Sequence, residues 1–165
     1  MSPFLSTTLI YQGIDANTKG YEFDVSGEIS TNLSVNAGYT RLMSVVDKNG
    51  DNVKPYTPRN MAHVSTTYKI PGVEALKVGA SVNWQNDTYV DINTLVGTTV
   101  RYQQDSYAVL SLMANYAFDK HWSAALNLYN VTNVKYIASL MTAGGDGQSF
   151  YAAPFNGAMT LTWKY

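Results

Sequence analysis

Glu22, Asp24 and Glu28 occupy alternate positions of the run GYEFDVSGEIS, so an extended chain sets three carboxylates on one face. Carboxylates grouped in this way suit general acid and base chemistry or the binding of a cation. The structural reading is stronger, because carboxylates along a polar wall ordinarily pair with lysine or arginine from neighbouring strands. DKNGDN at positions 47–52 carries acidic spacing like that of a calcium loop, yet it lacks the closing glutamate and the flanking helices. Its Asn49-Gly50 pair marks a turn in a hairpin loop instead. Ser106 and His121 would suit a serine nucleophile and its base, but they fall at opposite ends of one expected strand and cannot share a proton. An enzyme is not expected.

What remains is a question of architecture. The chain has 165 residues, 45% hydrophobic, 14% charged and 13% aromatic, with a net charge of -1 and no cysteine. Without cysteine there is no disulfide scaffold, no thiolate zinc site and no cysteine nucleophile. His63 and His121 stand far apart and offer no ligand-like spacing, so no metal centre is expected. Eleven basic residues against twelve acidic ones, neither clustered, leave no footprint for nucleic acid. No apolar stretch approaches the roughly eighteen residues of a membrane helix. The opening MSPFLSTTLIYQG lacks the basic, apolar and small-residue regions of a signal peptide, so export is expected to be directed by something outside this sequence.

Alternation at period two runs along nearly the whole chain. Tyr21, Phe23, Val25 and Ile29 oppose Glu22, Asp24, Ser26 and Glu28, and after a turn at Thr31-Asn32 the residues Leu33, Val35, Ala37 and Tyr39 oppose Ser34, Asn36, Gly38 and Thr40. The same pattern recurs in 62–70, in 76–85, in 106–118 and in 122–129. A last run sets Met159, Leu161, Trp163 and Tyr165 on one side. With a weaker opening run from Phe4 to Tyr11, this makes about eight strands of roughly ten residues. Their connections alternate: short at 31–32, 71–75 and 119–120, long and polar from about 45 to 60, 86 to 104 and after 129. Short turns at one end and long loops at the other are the habit of an antiparallel transmembrane β-barrel, whereas a soluble sandwich has no reason for them. Tyr68, Phe118, Trp122, Trp163 and Tyr165 lie beside the short turns, as an interfacial aromatic girdle would, and Trp84, Tyr89 and Tyr129 lie near the long loops. The inward faces are polar, which suits a wet or plugged lumen. In lipid, only helices and closed barrels satisfy every backbone polar group.

Five features carry a further likeness: TKGYEFDVSGEISTNLSVNAGYT (18–40), TPRNMAHVSTTYKIPGVEALKVGASVNWQNDTY (57–89), QDSYAVLSLMANYAFDKHWSAALNLYNVTNVKY (104–136), FYAAPFNGAMTLTWKY (150–165), and the order in which they come. Together they resemble the carboxy-terminal part of a TonB-dependent ferric-siderophore receptor of the Gram-negative outer membrane. The resemblance implies a barrel of about twenty-two strands closed by an amino-terminal plug. Such a receptor imports an iron chelate with energy relayed by TonB, has no resident cofactor, and carries the ferric siderophore as its transported ligand. Residues 1–165 would be the last eight or so strands of that barrel, with the plug domain and the TonB-contact box lying outside them, so this segment is not expected to transport alone.

The same resemblance points to partners and residues. The lipid bilayer and the outer-membrane assembly machinery are the expected partners, and TonB would be reached only through the amino-terminal part. Inward amide and aromatic residues at the extracellular end, Gln85, Tyr107 and Tyr129, are the candidates for contact with the chelate, against the plainer reading that each packs on a loop. Met159, Leu161, Trp163 and Tyr165 are the expected membrane-insertion signal, although Thr160 stands where a glycine is usual and Gly157 comes earlier. Asn115, in LMANYAF, stands where related receptors often carry an inward arginine. Two other architectures compete: a free-standing eight-stranded outer-membrane barrel with a structural or adhesive role, and a soluble ligand-binding barrel.

Overall fold

A computed structural model describes residues 15–93, 97–143 and 146–165. The expected opening strand, Phe4–Tyr11, lies outside the described residues, as do Gly144 and Gly145 of the glycine-rich loop. Eleven strands follow in order: β1 (Ala16–Ser30), β2 (Leu33–Asp47), β3 (Asn60–Lys69), β4 (Leu76–Gln85), β5 (Thr88–Asn93), β6 (Thr99–Gln104), β7 (Tyr107–Ala117), β8 (Trp122–Tyr129), β9 (Ile137–Ala143), β10 (Asp146–Tyr151) and β11 (Asn156–Trp163). Seven of them form one antiparallel sheet in the order β1-β2-β3-β4-β7-β8-β11, while β5-β6 and β9-β10 form separate hairpins.

Register explains the alternation. Residues directly opposite each other share a face, so the pairings carry each row across the sheet. One row runs Phe23, Tyr39, Ala62, Trp84 and Ala108, a second Val25, Ala37, Val64, Val82 and Leu110, and a third Leu33, Tyr68, Val78, Ala114, Leu126 and Met159. The opposite face carries Asp24, Gly38, His63 and Asn83 in one row and Ser26, Asn36, Ser65, Ser81 and Ser111 in the next. The wall is therefore apolar on one side and polar on the other. A bulge at Lys19/Gly20 interrupts the first pairing, and a Cβ on Gly20 would run into the carbonyl oxygen of Arg41.

The apolar side is uncovered. Phe23, Ile29, Met159 and Leu161 are 59 to 72% exposed, and no large side chain among the described residues is fully buried. Leaving that much hydrocarbon facing water would forfeit the main driving force of folding. Lipid is the solvent that fits, and no helix of the described residues is long and apolar enough to cross a membrane in place of these strands.

Two findings depart from the sequence reading. The connections expected to be plain polar loops at 86–104 and after 129 contain the hairpins β5-β6 and β9-β10, and β2 continues to Asp47, well past Thr40. DKNGDN closes β2 with a turn in which the Asp47 carboxylate accepts the backbone N–H groups of Asn49 and Asp51 at 2.8 and 3.0 Å. The main hydrophobic cluster also lies outside the wall. Val90 and Ile92 of β5 pack with Leu140 and Ile137 of β9, joining the two hairpins beyond the long-loop end.

On the open face of β5-β6, Arg101 makes a two-pronged pair with Asp91, both bonds 2.7 Å, and lies 4.0 Å over the ring of Tyr89. The Arg101 guanidinium, hydrogen-bonded to the Asp91 carboxyl, holds that carboxyl below the usual aspartate range. A depressed carboxyl contributes its stability above the unfolded-state value and loses it as pH falls through the folded one. Acidification below about pH 4 should therefore loosen this hairpin, and high salt should do the same because the pair is exposed. Asp91→Asn should abolish both dependences in amide-exchange measurements, while an unchanged salt response would assign them elsewhere.

Candidate functional site

Long-loop ends of the strands converge on a hollow of about 490 Å³ on the polar face, lined by Thr40 of β2, Met61 and His63 of β3, Asn83 and Gln85 of β4, and Tyr107 of β7. Gln85 and Tyr107 are register partners, which sets the amide beside the phenol ring. Tyr136, from the segment after β8, completes the lining and stacks on Tyr107 with ring centroids 4.2 Å apart and planes 25° from parallel. Tyr129 is not brought to this hollow. It lines a neighbouring one of about 300 Å³ with Ser65, Ser81, Ser111 and Asn127.

Chemically, the larger hollow offers two amides, one imidazole, hydroxyls and aromatic faces, but no cluster of carboxylates. Such a lining can hold a polar, partly aromatic ligand through hydrogen bonds and ring contacts. Among the described residues no group of three or more histidine, aspartate or glutamate side chains is placed to hold a metal ion. None of the β1 carboxylates lines the hollow; Asp24 comes to its edge, lying over Gly38 beside His63, whose Nε2 is 3.0 Å from the Asn36 amide oxygen.

Several fasteners that hold the extracellular end were not read from the sequence. Asn86 caps β3, its Oδ1 accepting the N–H groups of Arg59 and Asn60 at 2.9 and 2.7 Å. Gln104 accepts the N–H of Ile137 at 2.6 Å, tying β6 to β9. Asn130, only 3% exposed, turns the chain out of β8. Its Nδ2 donates to the carbonyls of Val134 and Ala153, and its Oδ1 accepts the N–H of Val134. Asn130 and Asn133 both have φ of 51°. The available signal was the Asn-x-x-Asn spacing in YNVTNVKY, since asparagine tolerates the left-handed region better than most residues.

At the opposite end, the expected girdle is present. Trp122, Trp163 and Tyr165 follow one another with ring centroids 6.4 and 5.6 Å apart, and Tyr116 meets Phe118 edge-on at 5.1 Å. Met159, Leu161 and Trp163 share the apolar face of β11. His121 and Lys164 bond through His121 Nδ1 to the Lys164 carbonyl at 2.9 Å and Lys164 N–H to the His121 carbonyl at 2.8 Å.

An antiparallel wall that is apolar outside, polar inside and rimmed by aromatics is a section of a transmembrane β-barrel. Residues 2–131 match the family described as TonB dependent receptor-like, beta-barrel, and the chain belongs to that family. It is 31% identical over 160 residues to the ferripyoverdine receptor of Pseudomonas aeruginosa, covering 96% of this chain and 19% of that protein. To the ferric-pyoverdine 358 receptor of Pseudomonas putida it is 33% identical over 155 residues, covering 91% and 18%. The crystal structure of the Pseudomonas aeruginosa outer-membrane ferripyoverdine receptor bound to ferripyoverdine superposes with a TM-score of 0.82 at 31% identity, over 93% of this chain and 20% of that one. The chain thus spans about a fifth of the length of the relatives it matches. Its setting is the outer membrane of a Gram-negative cell.

Proposed function

We propose that residues 1–165 are the carboxy-terminal barrel portion of an outer-membrane receptor that takes up a ferric siderophore, driven by TonB through an amino-terminal part. The observation that carries this reading is likeness to ferric-pyoverdine receptors across 96% and 91% of the chain. Iron enters as cargo inside the chelate, and the barrel itself needs no cofactor. A free-standing eight-stranded barrel is disfavoured, because among the described residues β1 and β11 do not pair and the sheet stays open. Two bare edges are costly in lipid. An antibody to β11 should reveal, in outer membranes of the source cell, a band several times heavier than 18.2 kDa. A band at that mass would give the segment an independent existence and remove the import role from it.

Gln85 and Tyr107 are the proposed chelate contacts, with Tyr129 a more distant one in the adjoining hollow. Their support is placement: polar and aromatic groups on the inner face at the extracellular end. Tyr107→Ala in the full receptor should weaken ferric-siderophore binding by about tenfold, the scale of one lost aromatic contact with its stacking partner. Tyr129→Ala should weaken it less. Fluorescence-quenching titration decides, and an unchanged Kd for Tyr107→Ala would remove that residue from the site. Met159, Leu161, Trp163 and Tyr165 are the proposed signal read by the assembly machinery, supported by the outward face that the first three share on β11, a strand with a free edge among the described residues, and by the Tyr165 ring lying 5.6 Å from that of Trp163.

A further inference from the structure

On the lipid side of the wall a notch of about 450 Å³ opens between β3, β4, β7 and β8. Register explains it. Ala80 stands opposite Leu112 and Ala114 opposite Val78, so on the β4-β7 pair two methyl groups share one diagonal while two larger side chains share the other. Directly opposite and diagonal neighbours are the ones that cover a sheet face, and here one diagonal covers little. Tyr68, Leu126 and Leu128 stand around the opening. The four strands are flanked in the sheet by β2 on one side and β11 on the other, so barrel strands outside this segment do not reach the notch. At about 3.4 Å per residue, Val78 and Ala80 lie about 7 and 14 Å along β4 from Leu76 at its short-turn end. That is the half of a roughly 30 Å hydrocarbon core that faces the short turns.

We propose that the notch holds one acyl chain of a phospholipid from the leaflet on the short-turn, periplasmic side, with the lipid phosphate on the Lys120 ammonium. The notch is continuous with the lipid-facing surface, which makes hydrocarbon its solvent. Its volume is about three times the roughly 150 Å³ of a dry cavity that takes up benzene, which leaves room for a length of acyl chain. A helix about 10 Å across would bridge the opening without filling it. At the rim, Lys120 is exposed in the turn that joins β7 to β8, two of the notch's own strands, and among the described residues it makes no ion pair. The Asp119 carboxylate beside it is turned into the same turn, accepting the N–H groups of His121 and Trp122 at 2.7 and 2.8 Å. Glu74 keeps an anionic headgroup from the β3-β4 turn and leaves Lys120 to seat it. Lysine stems lie along apolar surface while their ammonium groups reach the headgroup level. The proposal needs the lipid-facing wall but not the identity of the transported ligand.

The test uses the full-length protein in vesicles of phosphatidylethanolamine and phosphatidylglycerol, doped with a phosphatidylglycerol that carries a diazirine midway along one acyl chain. After irradiation, mass spectrometry should find lipid adducts severalfold enriched on β4 and β7 around Ala80 and Ala114. The reference is Leu33, Val35 and Met159, which lie in the same two rows, and so at the same depth, but outside the notch. Ala80→Leu/Ala114→Leu fills the notch with hydrocarbon and keeps the face apolar, so adducts should fall to the reference level while heat-modifiable mobility stays native. Lys120→Gln should lower labelling of the notch about fivefold, the effect of one lysine near an anionic surface. Even labelling along both rows, or labelling that the double leucine variant leaves unchanged, would mean ordinary boundary lipid and overturn the proposal. Labelling indifferent to Lys120→Gln would overturn the phosphate contact. A benzophenone side chain introduced at Ala80 that joins, in outer membranes, to another polypeptide or a second copy instead of lipid would give the notch to a protein and overturn the proposal equally. Enriched labelling in a receptor that takes up no siderophore would sink the import reading and leave this one standing.

Discussion

Leu112→Arg should destabilise the barrel by about 2 to 4 kcal/mol, the cost of arginine at the bilayer midplane on the lipid face. Leu112 sits midway along β7 in the row Val35, Thr66, Ala80, Leu112, Leu128, with its side chain on the apolar side. Its neighbour Ser111 is one residue away and on the other face, in the row of Asn36, Ser65 and Ser81. Ser111→Arg should therefore fold almost as well as the natural chain, because its charge enters water. Phe118→Arg, beyond the end of the strand, should cost about 0 to 1 kcal/mol as the interface is reached. Urea midpoints of the full receptor in lipid vesicles, read by heat-modifiable gel mobility, give all three. Equal losses for Leu112→Arg and Ser111→Arg would mean that both faces are packed alike, and the lipid assignment of the apolar face would fall.

The second large effect belongs to Asn130. Replacement by alanine removes an amide that makes three hydrogen bonds and leaves the Val134 and Ala153 carbonyls and the Val134 N–H to find other partners. It also places a Cβ-bearing residue without a side-chain amide at φ 51°. Orphaned polar groups at about 1 to 3 kcal/mol each, partly relieved by water, put the loss near 3 kcal/mol. Asn130→Gly keeps the backbone freedom and loses only the bonds, so it should be milder. Asn130→Asp keeps the acceptor for Val134 N–H but turns an oxygen toward two carbonyls, so it should be nearly as damaging as alanine. Thermal unfolding of the full receptor ranks them. If glycine and alanine prove equal, backbone strain plays no part; if all three are silent, the turn is held by the hairpins.

The wall was legible in the sequence because membrane and lumen impose opposite solvents on successive residues, so Val78, Ala80 and Val82 against Lys77, Gly79 and Ser81 declare a strand without any propensity argument. The hairpins were less legible for the same reason in reverse. In β5, Val90 and Ile92 alternate with Tyr89 and Asp91, but the apolar set is short and its partner strand, TVRYQQ, is mostly polar. The hydrophobic cover comes from Ile137 and Leu140 of β9, far along the chain, which no local pattern announces. Of the candidate ligand residues, the pairing of Gln85 with Tyr107 follows from a register the sequence did not specify, and the stacking partner Tyr136 comes from a segment that reads as loop. Asn86, Gln104 and Asn130 were missed because a side chain that bonds to distant backbone has no periodicity.

Strict alternation in the wall has a consequence for how such a chain can change length. Adding a single residue at the start of β11 would exchange the two faces from that point onward, sending Met159, Leu161 and Trp163 to water and Ala158, Thr160 and Thr162 to lipid. Insertions in the wall are tolerated in twos, or where a bulge such as the one at Lys19/Gly20 absorbs the odd residue. The hairpins beyond the membrane obey no such parity, and so the lineage is free to lengthen or rewrite them one residue at a time while the strands beneath keep count.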